Sequence, residues 1–141
     1  MSFNYNFIDH TADIAVDIKA DSIEELFFAS AKAFKETLVE PDFGSSKENY
    51  ILNLGSRSLE TLLVSFLNEL NFRIVYKEKI FSNITDIKIE NKNDIYYLDC
   101  ILEEKEVDKN SVKTEIKSVT YHQMEIKKEH KEYSTRIIFD I

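Results

Sequence analysis

The sequence predicts a single α+β domain over residues 1–141, two amphipathic helices packed on a mixed, largely antiparallel β-sheet. Three observations lead there. In the first half of the chain, two segments carry apolar residues at three-and-four spacing behind a serine able to cap a helix. From Ile80 onward the apolar residues alternate instead with a period of two. Helices and strands are thus partly segregated along the chain, which favours α+β over repeated β-α-β units.

The elements follow in order. Ile14, Val16, Ile18 and Ala20 alternate with Ala15, Asp17 and Lys19, a strand with one buried face. Ser22-Ile23-Glu24-Glu25 matches a capping box, in which the serine hydroxyl and the Glu25 carboxylate satisfy amides at a helix start. Ile23, Leu26, Phe27, Ser30, Ala31, Phe34 and Leu38 then form one stripe, and Pro41 bars continuation. Residues 42–49 are polar and read as a loop, 50–54 as a short strand ended by Gly55. Ser58 caps a second helix running to about Val75, with Leu59, Leu62, Leu63, Phe66, Leu67 and Leu70 on its apolar face. Strands are expected over 84–90, 95–102, 116–127 with a break, and 133–139. Asn91-Lys92-Asn93-Asp94 supplies the first turn between them. The charged stretch 103–114 reads as a solvated loop or frayed hairpin, and the mixed-sign cluster 127–132 as a hairpin tip with His130 facing solvent.

Composition narrows the function. Eighteen Lys and Arg against 26 Asp and Glu give a net charge of −8. That surface disfavours nucleic-acid binding, which draws its affinity from cations displacing condensed counterions. Cys100 is the single cysteine. It excludes a disulfide framework and a multi-thiolate zinc site, and its apolar surroundings suggest a buried thiol in a reducing compartment. Two glycines and one proline leave no Gly-rich phosphate loop. The first residues lack a basic segment followed by an apolar run, and no window approaches about 18 consecutive apolar residues, so a cytoplasmic protein away from membranes is expected.

Three places carry side chains suited to chemistry. Asp9, His10 and Asp13 sit in a turn leading into a strand, where carboxylates can converge on a hard divalent cation or simply cap the turn. At the other end Phe139-Asp140-Ile141 concentrates oxygen donors within two residues of a buried strand, or marks a strand that runs out. Between them, Ser118, Thr120 and His122 share one face of an alternating segment and Lys117, Val119 and Tyr121 the other, without composing a Ser/His/Asp triad.

Taken together, Asp9-His10-Thr11-Ala12-Asp13-Ile14 with the helix start at 22–27, Leu62-Leu63-Val64-Ser65-Phe66-Leu67-Asn68-Glu69-Leu70, and Ile116-Lys117-Ser118-Val119-Thr120-Tyr121-His122 with the closing Phe139-Asp140-Ile141 resemble the archease family. The order and spacing cover essentially the whole chain. The resemblance implies an accessory protein, not itself an enzyme, of the GTP-dependent RNA ligase of tRNA splicing and RNA repair. Such a protein promotes guanylylation of the ligase and its multiple turnover. The resemblance also implies a divalent-cation site on Asp13, Asp140 and an oxygen of Ile141, with calcium expected and magnesium or manganese as alternatives. Asp9 and His10 then stand behind the ligands or face the partner, and Lys117 orients a carboxylate or meets the ligase. The chain departs from the family pattern at Leu102-Glu103-Glu104-Lys105, where a Gly-Glu turn is usual, at Ser118, where alanine is usual, and near Asn110, where a histidine is often found. Two other readings stay open: a small metal-dependent hydrolase with His10 or His122 as general base, and a general chaperone with a structural metal.

Overall fold

The computed structural model describes residues 2–8, 13–41, 48–121 and 124–141, so Asp9, His10, His122 and residues 42–47 of the expected 42–49 loop lie outside the described residues, while 48–49 are strand. Among these, the chain runs β1 (Phe3–Ile8), β2 (Asp13–Ala20), α1 (Ile23–Leu38), β3 (Glu48–Ser56), α2 (Leu59–Tyr76), β4 (Lys79–Lys92), β5 (Ile95–Glu106), β6 (Ser118–Val119), β7 (Lys127–Glu129) and β8 (Glu132–Asp140). The α+β class and the two helices are as expected, and every strand pairing is antiparallel. The strands divide into two sheets, however. One has the order β1-β2-β8-β6 with β7 also on β8, the other β3-β5-β4. A single core of buried side chains, including Val16, Phe27, Phe34, Phe66, Leu98 and Phe139, draws on both helices and both sheets. No helix among the described residues is long and apolar enough to cross a membrane.

Both helices start where serine takes over an orphan amide. Ser22 Oγ accepts from the Glu25 amide and Ser58 Oγ from the Thr61 amide, each at 3.1 Å. The Glu25 carboxylate meanwhile accepts the Ser2 amide at 2.7 Å and so ties the start of β1 to α1. After Leu38 the backbone turns extended at Val39, two residues ahead of Pro41.

The sheets differ from expectation in identifiable ways. Strand β1 was not among the expected elements. Its Phe3, Tyr5 and Phe7 alternate with polar residues, but as an edge strand it is only partly covered and Phe7 stays 47% exposed. Gly55 does not end β3, which runs on to Ser56. Gly55 pairs with Tyr97, and a Cβ there would stand 3.2 Å from the Tyr97 ring, so the missing side chain leaves room for the aromatic. The expected loop at 103–106 is strand instead, continuing β5, because Glu104 is buried against Arg73. Among the described residues of the stretch 116–127, only Ser118–Val119 and the first residue of β7 are strand. The turn after β4 places Asn93 and Asp94 at φ 54° and 64°, the left-handed pair that a tight hairpin requires. The 127–132 cluster is a hairpin tip, with exposed His130 at φ 57°.

Cys100 is 2% exposed in β5, and burial pushes its thiol up to about 12. A thiol so far above neutrality stays protonated and unreactive. A disulfide-exchange colorimetric reagent at pH 8 should therefore titrate no thiol in the native protein and one per chain in urea.

Candidate functional site

Strand β8 lies between β2 and β6, and its end carries the residues singled out from the sequence. The antiparallel register sets Asp13 opposite Asp140 and Ile14 opposite Phe139. On the other side of β8, Ser118 is opposite Asp140 and Val119 opposite Phe139. Directly opposed residues project to the same face of a sheet, so Asp13, Asp140 and Ser118 form one polar row across three strands. Phe139, fully buried against Phe34, fixes the register beneath them. Asp140 is exposed, Asp13 half-buried, and Ile141 follows at 38% exposure.

Lys117 joins this row through its backbone. Its amide donates to the Asp140 carbonyl at 2.8 Å, while Thr120 donates to Ile138 at 3.1 Å. The 116–119 segment is in turn held by α2. The Asn68 side chain accepts the Val119 amide at 2.9 Å, and Asn71 Nδ2 donates to the Ile116 carbonyl at 2.8 Å. These two amides clamp an irregular segment that lacks a full strand partner, and they were not singled out from the sequence. The available signal was two asparagines at i and i+3 beside the helix's apolar stripe, Asn71 sitting between Leu70 and Phe72 in sequence. Farther along the same two strands, Arg136 grips Asp17 with two N–H···O bonds of 2.7 and 3.1 Å, which lowers the Asp17 pKa.

Two carboxylates facing each other repel, and a hard dication with oxygen ligands reverses that sign. The row offers two carboxylates and neighbouring main-chain oxygens, a donor set suited to calcium or magnesium and ill-suited to softer metals. Among the described residues no group of three or more His, Cys, Asp or Glu converges, so such an ion would complete its shell with carbonyl oxygen and water. Asp140→Asn should raise the melting temperature in chelator by about 1–3 °C through relief of repulsion. It should also abolish any calcium-dependent rise, both read by differential scanning fluorimetry with and without calcium.

Comparison with known proteins adds the family. The model of the Archease protein family (MTH1598/TM1083) matches residues 5–141. The protein archease of Methanosarcina barkeri is 31% identical over 139 residues, 97% of this chain and 95% of that one. That of Pyrococcus abyssi is 34% identical over 122 residues, 85% of each. In fold, the chain is similar to the solution structure of Methanobacterium thermoautotrophicum protein 1598, with a TM-score of 0.83 and 28% identity, over 97% of this chain and 98% of that one. It is also similar to a Thermotoga maritima archease named as a possible chaperone, with a TM-score of 0.61 and 23% identity, over 95% and 94% of the two chains, a likeness of fold.

Proposed function

The chain belongs to the archease family, and from that premise we propose that it is a non-enzymatic accessory protein which activates a GTP-dependent RNA ligase in tRNA splicing and RNA repair, acting in the cytoplasm. The observation that carries this reading is the register that sets Asp13 against Asp140, with Ile141 adjoining. Asp13, Asp140 and an oxygen of Ile141 hold a divalent cation, calcium in the first instance, and Asp9, His10 and Lys117 face the partner or support the ligands. The cation supplies positive charge where phosphate and carboxylate groups of a partner's active site gather. The protein's part is to present that charge on the rigid end of β8, clamped by the Lys117 amide and by Asn68 and Asn71. A surface with a net charge of −8 accords with a protein partner rather than a direct grip on RNA.

The test is guanylylation of the partner ligase with GTP, in calcium or in magnesium, with and without this protein. Wild type should raise the rate, and both Asp13→Ala and Asp140→Asn should return it to near that of ligase alone while still folding. No stimulation by wild type with its cognate ligase overturns the activator reading. Full stimulation by both variants removes the metal row from it.

A further inference from the structure

We propose that the groove where α1 spans the gap between the two sheets is a binding site for a small organic acid, an aromatic or branched apolar body bearing one carboxylate. The groove has a volume of about 550 Å³, within the usual range of small-molecule sites. Tyr5 of β1 lines one side, Phe81 and Ile84 of β4 the other, and the last turns of α1 run between them. Buried Phe81, Val39 and Ile84 form an apolar floor, and half-buried Phe28 extends it toward solvent.

The groove carries a small excess of positive charge. In a chain of net charge −8, the charged side chains lining the groove are Lys32, Lys35 and Lys113 against Glu36 and Glu40. Two of the ammonium groups sit over its aromatic rings, Lys32 Nζ 5.7 Å from the Phe28 centroid and Lys35 Nζ 5.3 Å from that of Phe81. Of the acids, Glu36 is engaged by the Tyr5 hydroxyl, whose pKa is raised by burial and further by Glu36. The balance favours a single negative charge on a ligand whose body fills the apolar floor.

A β-bulge borders the groove. The β4–β5 register slips between Phe81 and Asn83. At this bulge the Ser82 hydroxyl donates to the Glu103 carbonyl at 3.1 Å and the Asn83 amide to the Glu103 carboxylate at 3.0 Å. These bonds tie the polar side chains of the bulge, which also line the groove, to β5, and bulges commonly re-aim side chains beside a site. Lys113 is set in place by its amide, which donates to the Leu38 carbonyl at 2.7 Å, and by the neighbouring Val39–Val112 bridge.

The experiment uses the full chain and naphthoate as the probe, with naphthylmethanol and naphthylmethylammonium as its neutral and cationic counterparts, followed by backbone amide chemical shifts. Naphthoate should saturate and move the amides of Lys32, Lys35, Phe81 and Lys113, binding more tightly than the alcohol, and the alcohol more tightly than the ammonium. Lys32→Ala/Lys35→Ala should weaken naphthoate about tenfold while leaving the alcohol unchanged. Lys113→Glu, at an exposed position, repeats the comparison without touching α1. The proposal is overturned if the alcohol and naphthoate bind equally, if the shifts fall outside the groove, if nothing saturates at millimolar probe, or if a folded lysine variant binds as wild type. No ligase is present, so the outcome does not depend on the activator role.

Discussion

Arg73→Met should lower the unfolding free energy by about 3–5 kcal/mol, the largest loss expected from any single charged residue here. Arg73 reaches from the last turns of α2 to β5 and donates from Nε and Nη2 to the two oxygens of Glu104, each at 2.7 Å. Its guanidinium lies 3.5 Å from the centroid of the Tyr50 ring on β3. The bond to Glu104 raises the Arg73 pKa, and the Glu104 side chain is only 2% exposed. Removing the arginine strands a buried carboxylate, which costs far more than a surface ion pair contributes. Arg73→Met/Glu104→Leu should recover most of the loss, because two apolar groups of similar size leave no charge to solvate. Urea denaturation of the two variants, at unchanged slope, measures both values.

Phe139→Ala should cost a similar amount, about 3–5 kcal/mol, by opening a cavity where α1 meets β8. Phe139 is fully buried, packs edge-on against Phe34 at 6.0 Å between centroids, and lies opposite Ile14 on one strand and Val119 on the other. Phe139→Leu keeps much of the volume and should retain most of the stability. Hydrogen exchange at the Lys117 amide, bonded to the carbonyl of the next residue, should accelerate in Phe139→Ala well beyond the change at β5. That pattern would separate local loosening of the Asp13–Asp140 row from a uniform loss of stability.

What the sequence reveals of this fold depends on whether the decisive interaction is local. Ser22 and Ser58 cap helices within three residues, and both helices can be read directly. The 103–106 segment cannot, because four charged residues in a row read as solvated until Arg73, more than thirty positions away in sequence, is placed beside Glu104. The division into two sheets is equally non-local, since each strand shows only which of its faces is apolar and not which strand lies beside it. Tyr121 shows the same limit from the other direction. It continues a good alternating pattern, yet β6 stops at Val119 and Tyr121 is exposed, the preceding short ladder to β8 being reinforced by asparagine side chains of α2. At the candidate site, the oxygen-rich character of residues 13 and 140 is plain from the sequence, while their placement opposite each other is a property of the β2–β8 register alone.

That register also governs how the chain is made. Strands β3, β4 and β5 lie within residues 48–106, so the second sheet has all its strand partners once Glu106 has left the ribosome. Strand β2, among the first segments synthesised, has to wait for residues 133–140 before its inner edge is covered. Pairings of such large sequence separation form late and slowly. Through most of translation the nascent chain therefore carries an unpaired, Val- and Ile-rich β2 edge, the period in which it is most exposed to mispairing with other chains.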